Sequence, residues 1–166
     1  MDANDKIVLR QILENVLVKD IMEVKVYPLK VEDPLSRAVE LFSVHGVSHL
    51  PVVDDNQRLV GLLSHKYLYK TVSPRKFIEG ELNPDPAMVM EKDSYYWKDM
   101  VNSFILRKVM YPNPPQLKPD DHLSKAVLTM AARYSGCIFV TNPSGQVVGA
   151  LTDLDIVDYL AQSLLD

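Results

Sequence analysis

The chain has 166 residues, 47% of them hydrophobic and 24% charged, which suits about one compact domain whose core needs no disulfide or metal staple. Lys plus Arg number 18 against 22 Asp plus Glu, giving a net charge of −4; phosphate contacts need a basic face, so this balance argues against a generic nucleic-acid binder. The one cysteine, Cys137, excludes an internal disulfide framework and suits a reducing, cytoplasmic compartment, and no apolar run reaches the ~18 residues of a membrane span.

Charges at Asp2, Asp5, Lys6, Arg10 and Glu14 interrupt the N-terminus, so residues 1–17 do not read as a signal peptide. Leu9, Ile12, Leu13, Val16 and Leu17 predict an amphipathic helix packed on the domain's own core. A first unit, residues 18–72, opens with the short apolar segment Val18–Met22, read as a strand. Asp33 is placed as a helix N-cap with Pro34 at the first helical position, ahead of the stripe Leu35, Ala38, Val39 and Phe42. Leu50–Val53, the turn Asp54-Asp55-Asn56 and Leu59–Leu63 predict a hairpin, with a second helix from Ser64.

Residues 73–105 form an insert with breakers at Ser73-Pro74 and Asn83-Pro84-Asp85-Pro86. Tyr95, Tyr96, Trp97, Met100, Val101 and Phe104 predict a short helix there, more simply core beneath a long connection than an interface. A second unit, residues 106–166, opens with Leu106–Met110 and continues with the helical stripe Leu123, Ala126, Val127 and Met130. Its hairpin runs from Cys137–Val140 to Val147–Leu151, and a final helix carries Leu154, Val157, Leu160, Ala161 and Leu164 on one side.

The two units are copies. Leu29–Val39 and Leu117–Val127 lie 88 residues apart and share seven of eleven positions, where chance gives roughly one. The same offset relates Met22 to Met110, Gly61 to Gly149 and Ser64 to Thr152, with a small local shift expected near the second hairpin turn. Each copy reads β-α-β-β-α, and a sheet with helices on one face needs a partner to bury the other. The fold class is therefore α+β, two tandem repeats packed as one pseudo-twofold module.

The most informative string is Gly149-Ala150-Leu151-Thr152-Asp153-Leu154-Asp155. A strand glycine permits close approach by a backbone or a ligand. Thr152 and Asp155 lie one helical turn apart, where a carboxylate can accept from both hydroxyls of a ribose, and free N–H groups at the helix start would attract a phosphate. The same spacing is also a capping box, which needs no ligand.

These features resemble the CBS-domain pair, or Bateman module, across about residues 16–163. The matching residues include Val18-Lys19-Asp20-Ile21-Met22, Asp33-Pro34-Leu35-Ser36-Arg37-Ala38, Gly46 to Asp54, Leu59 to Ser64, Asp121 to Ala126, and Val147 to Asp155. The resemblance implies regulatory binding of AMP, ADP, ATP or S-adenosylmethionine in clefts between the copies. It assigns the ribose contact to Gly149, Thr152 and Asp155. The base falls to Val109, Met110, Tyr111 and Pro112 together with Gly136, Cys137 and Ile138. In copy one Tyr67 stands where the ribose carboxylate belongs, and a phenol cannot take two hydroxyl protons. In copy two Ile138 replaces the proline seen as Pro51.

His45, His49, His65 and Lys66 of copy one are candidate contacts for phosphates reaching across the dyad, as is Arg133, and Ser64 is a further candidate ligand contact. His45 and His49 do not read as a metal pair, because Gly46 interrupts the helix and no acidic or cysteine partner is evident. No catalytic motif is present, and Cys137 falls in a strand as a small hydrophobe. The expectation is a stand-alone, non-enzymatic, energy-sensing module. It would require no cofactor, bind an adenine nucleotide, form a homodimer and act on an unidentified regulated protein, with no nucleic acid or membrane partner. The alternative is a ligand-independent interaction scaffold.

Overall fold

A computed structural model describes residues 2–66, 75–76, 88–91, 94–97, 105–133 and 135–165. The chain divides into two compact units, Met1–Val26 with Pro114–Asp166 (unit 1) and Tyr27–Asn113 (unit 2).

Unit 1 begins with α1 (Ala3–Asn15), closed at its start by a capping box in which Asp5 N–H donates to Asp2 Oδ1 at 2.8 Å and Asp2 N–H to Asp5 Oδ2 at 3.0 Å. A four-residue helix, α2 (Val18–Ile21), follows. In unit 2 come β1 (Leu29–Lys30), α3 (Leu35–His45), β2 (His49–Val53), β3 (Leu59–Ser64), β4 (Arg75–Lys76), β5 (Met88–Glu91), β6 (Ser94–Trp97), α4 (Leu106–Val109) and β7 (Tyr111–Pro112). Unit 1 resumes with β8 (Gln116–Leu117), α5 (Leu123–Arg133), β9 (Cys137–Thr141), β10 (Val147–Thr152) and α6 (Asp153–Leu165).

The sheets have the orders β1-β2-β3-β7 and β4-β6-β5 in unit 2 and β10-β9-β8 in unit 1. In each unit the two-residue strand runs parallel to the first hairpin strand, Leu29 beside Val52 and Leu117 beside Val140. The 88-residue offset holds for these pairs and for both hairpin turns, so the expected local shift near the second turn is absent. Gln57 and Gly145 occupy the same left-handed position (φ 62° and 84°). Asp54 Oδ1 accepts from Arg58 N–H at 2.8 Å just as Asn142 Oδ1 accepts from Gln146 N–H at 3.0 Å. The side chain, not the loop composition, fixes the turn.

Among the described residues two cores form, sharing no residue. Leu29, Leu35, Ala38, Phe42, Leu50, Leu63 and Leu106 build one. Val18, Leu117, Leu123, Ala126, Ile138, Val140, Leu151 and Ile156 build the other. The helical stripes of α3 and α5 thus point where their spacing predicts.

Several local expectations are corrected. The leading segments are helical turns, not strands. The first and last residues of the N-terminal apolar stripe also part company. Leu13 is half-buried against the core and Val16 is buried, but Ile7, Val8, Leu9 and Ile12 stay exposed. Val16 leaves the helix in extended backbone, and its carbonyl accepts from Leu123 N–H at 2.8 Å, so the strip past Asn15 cannot share the helical face. Pro34, not Asp33, is the N-cap of α3. The Asp33 carboxylate instead accepts from Lys30 N–H at 2.8 Å, as Asp121 accepts from Lys118 N–H at 2.7 Å.

In α6 the buried face is Ile156, with Tyr159 and Leu160 packed beside it, whereas Leu154, Val157 and Leu164 are exposed. Tyr95, Tyr96 and Trp97 lie in a strand, antiparallel to Met88–Glu91, rather than in a helix. Aromatic residues favour extended backbone, and four residues are too few for periodicity to decide. Tyr67, Met100, Val101 and Phe104 lie outside the described residues.

The leading segment of each repeat packs away from its own sequence copy. In unit 1, Val18 N–H donates to the Asp121 carbonyl and Lys19 N–H to that of Pro119, both at 2.9 Å. In unit 2, Leu106 N–H donates to Asp33 and Arg107 N–H to Val31, both at 3.2 Å. These are the same bonds at 88-residue spacing. The compact units therefore cut the chain differently from the tandem repeats.

Candidate functional site

The end of β10 and the start of α6 bring Thr152 and Asp155 together in unit 1. Thr152 N–H and its hydroxyl both donate to Asp155 Oδ2 at 2.7 Å, and Asp155 N–H donates back to Thr152 Oγ1 at 3.2 Å. This is a complete capping box. It also leaves Asp155 half-buried with its second oxygen, Oδ1, receiving no hydrogen bond among the described residues. The expectation of free N–H groups at this helix start is corrected. Asp153 N–H donates to the Gly136 carbonyl at 3.1 Å and Leu154 N–H to Asp153 Oδ1 at 2.9 Å.

Opposite Thr152 in register stands Cys137, and opposite Leu151 stands Ile138. Cys137 is 2% exposed and Ile138 fully buried in the unit's core. Burial pushes the Cys137 thiol up to about 12, with the carboxylates of Asp155 and Asp153 adding to the rise. Gly136 adjoins Asp153: a Cβ placed there would lie 3.2 Å from Asp153 Oδ2.

Gly149 is explained by the chain itself. A Cβ there would meet Met22 Sδ at 2.8 Å and the Glu23 carbonyl oxygen at 3.0 Å. Glu23 pairs with Ala150 through two 2.9 Å backbone bonds, which seats the leading segment against β10. Met22 and Glu23 therefore border Gly149, two residues that sequence reasoning missed at this place. Their signal was the Met22–Met110 correspondence, but the sequence does not say which copy each methionine covers.

Val109, Met110, Tyr111 and Pro112, expected beside Thr152 and Asp155, belong to unit 2. There Tyr111 and Pro112 pair with Leu62 and Gly61, and a Cβ on Gly61 would overlap the Met110 sulfur. In the same unit Ser64 is buried, and its hydroxyl accepts from Lys66 N–H at 3.2 Å. His65 N–H donates to the Ser48 carbonyl at 2.9 Å, and its ring meets Phe42 edge-on at 5.3 Å. The structure thus gathers Gly149, Thr152, Asp155, Cys137 and Ile138 in one unit. Val109–Pro112 with Ser64, His65 and Lys66 form a set in the other.

Arg133 ends α5 and lines a groove along that helix with Ser124, Lys125, Leu128 and Thr129. His45 stacks on Tyr27 at 3.7 Å rather than pairing with His49. Among the described residues no cluster of three or more His, Cys, Asp or Glu is placed to hold a metal ion, and no helix is long and apolar enough to cross a membrane.

Comparison with known proteins gives this geometry a family. An uncharacterized protein of Methanocaldococcus jannaschii is 25% identical over 156 residues, covering 89% of this chain and 92% of its own. A CBS domain-containing protein of Dictyostelium discoideum is 24% identical over 152 residues, 90% of this chain and 94% of its own. Among solved structures, the CBS domain pair of protein MJ0100, in complex with 5′-methylthioadenosine and S-adenosyl-L-methionine, matches with a TM-score of 0.68 at 18% identity, over 89% of this chain and 98% of that one. CBSX2 in complex with AMP matches with a TM-score of 0.65 at 23% identity, over 88% and 96%. The CBS domain profile matches residues 18–73 and 106–162, more than half of the chain in two copies, and the protein belongs to the CBS domain family.

Proposed function

We propose that this chain is a regulatory module that binds an adenosine-containing ligand and transmits its presence to a partner or to its own dimer. The observation that carries the reading is the Thr152–Asp155 pair, held at a strand-to-helix junction with Oδ2 committed and Oδ1, which accepts no hydrogen bond among the described residues, left for a ribose hydroxyl. Met22 and Glu23 edge the same strand, and solved relatives of the same fold hold 5′-methylthioadenosine, S-adenosyl-L-methionine or AMP. The reading is binding rather than turnover, and it gives no nucleophilic part to the chain's one thiol, which burial keeps protonated at neutral pH. No resident cofactor is invoked. A reducing, cytoplasmic setting suits a single buried cysteine. Energy sensing would follow if adenine nucleotides compete for the site.

Homodimer formation fits the exposed Leu154, Val157 and Leu164 on α6, apolar surface that association would cover. Any effect on a partner must come from unequal ligand affinity for two conformations.

The test is a thermal-shift panel of AMP, ADP, ATP, S-adenosylmethionine and an adenine-free control, on wild type and Asp155→Ala. A ligand at 100 times its Kd stabilises by ~2.7 kcal/mol, roughly 5–10 °C for a chain of this size. A shift from an adenine ligand that Asp155→Ala abolishes supports the reading. A second reading, a ligand-independent interaction scaffold, is favoured by the closed capping box and by Gly149 being filled by Met22. It predicts no shift with any ligand and only a capping loss of ~0.5–1 kcal/mol in Asp155→Ala.

A further inference from the structure

We propose that unit 1 carries the self-association surface: the groove along α5 receives α6 of a second copy, with Arg133 of each copy paired to Asp158 of the other. This deepens the dimer arm of the reading above and needs no ligand.

The last helix is apolar on two sides. Ile156, Tyr159 and Leu160 serve the core of unit 1. Leu154, Val157, Ala161 and Leu164 recur at intervals of 3, 4 and 3 residues and are all exposed, forming a second apolar line along α6. That is the seam spacing by which one helix packs on another, and a helix with a solvated outer face has no use for it. Asp158, also exposed, flanks the line. The α5 groove is lined by Pro115, Lys125, Leu128, Ala132 and Arg133. Leu128 is 71% exposed, and Ala132 is small enough for the side chains of another helix to approach. Lys125 is held by Asp121 at 2.8 Å, whereas neither Arg133 nor Asp158 makes a hydrogen bond or ion pair among the described residues. An apolar floor ending on an unpaired cation thus matches an apolar ridge flanked by an unpaired carboxylate, which a guanidinium can hold through two N–H groups. A twofold axis makes each contact twice, so the arrangement closes on two copies.

The other repeat supplies the contrast. At the 88-residue offset α3 carries Glu40 where α5 carries Leu128, and Glu40 is ion-paired with Arg37 at 2.6 Å. His45 stands for Arg133 and is stacked on Tyr27. The helix face left apolar and unpaired in unit 1 is therefore charged and internally satisfied in unit 2. Among the described residues, every exposed large apolar side chain except Val44 and Tyr111 belongs to unit 1. The surface is a property of one repeat and not a requirement of the fold.

The experiment is sedimentation equilibrium of the full chain without ligand, for wild type, Arg133→Asp, Asp158→Arg and an equimolar mixture of these two variants. Wild type should sediment at twice the chain mass. Each charge reversal sets like charges against each other at both symmetric contacts and should weaken association about tenfold or more. In a mixed dimer both contacts again join opposite charges, so the mixture should recover toward wild type. Leu128→Glu, which installs the residue α3 carries at this place, and Leu154→Glu should also dissociate the dimer, whereas Val44→Glu on α3 should leave it intact; thermal melts followed by circular dichroism should show all variants folded. A mixture that associates no better than either variant alone overturns the Arg133–Asp158 pairing. A dimer indifferent to the unit 1 substitutions, or weakened equally by Val44→Glu, overturns the inference while the dimer arm of the reading stands. A wild-type chain that stays monomeric overturns both and leaves the adenosine-ligand reading untouched.

Discussion

Substituting alanine at Gly149 and at Gly61, equivalent positions in the two repeats, should have unequal costs. At Gly61 the three atoms nearest the added methyl all belong to the Met110 side chain. An unbranched thioether can rotate away at a cost of ~0.5–1.5 kcal/mol. Losing a glycine from the unfolded chain returns ~0.4–1 kcal/mol, so Gly61→Ala should fall within about 1 kcal/mol of wild type. At Gly149 the methyl meets Met22 Sδ at 2.8 Å and the Glu23 carbonyl oxygen at 3.0 Å. That carbonyl accepts from Ala150 N–H at 2.9 Å and cannot retreat without loosening the bridge that seats the leading segment. Overpacking against fixed backbone costs ~1–3 kcal/mol. After the entropic return, Gly149→Ala should lose ~1–2 kcal/mol, or ~2–8 °C in Tm. Chemical denaturation of both variants, alone and in Met110→Ala and Met22→Ala backgrounds, checks the cause. Met110→Ala should remove any penalty at Gly61, whereas Met22→Ala should relieve Gly149→Ala only in part. Equal costs at the two glycines, or full rescue by Met22→Ala, would refute the assignment of the Gly149 penalty to the Glu23 backbone.

Cys137 should resist a thiol-specific disulfide reagent at pH 8 in the native state and react once denatured. Because its native pKa is raised to about 12, its contribution to stability is complete below its unfolded value near 9 and is lost as pH rises toward 12; Cys137→Ala should flatten that alkaline slope in denaturation curves. Burial lifts the Asp121 carboxyl, but the Lys125 ammonium and the Lys118 N–H outweigh it and hold the pKa below 3.8. Its stabilisation is therefore present above that value and lost as pH falls through the lower native one, and Asp121→Asn should unfold with a shallower acid transition. Leu35→Ala and Leu123→Ala, fully buried counterparts in the two cores, should each cost ~2–5 kcal/mol by urea denaturation.

Sequence alone determined the duplication, the two long helices with their buried stripes, both hairpins and the CBS resemblance. These follow from local periodicity and turn chemistry, which act over a few residues and leave a direct trace in the order of side chains. The Thr152–Asp155 spacing was likewise legible, both as a cap and as a ribose contact. Tertiary structure decided which leading segment lies on which hairpin, because the bonds from Val18 to Asp121 and from Glu23 to Ala150 join residues more than a hundred positions apart. Identical spacing in both copies cannot reveal that exchange. It moved Met22 and Glu23 to Gly149 and placed Val109–Pro112 with Ser64, His65 and Lys66. Strand pairing also consumed the Asp153 N–H, the one the motif does not satisfy by itself, since the Gly136 carbonyl that takes it arrives only when β9 pairs with β10. Pairing likewise set Ser94–Trp97 as a strand against β5, where four aromatic-rich residues on their own fit either period.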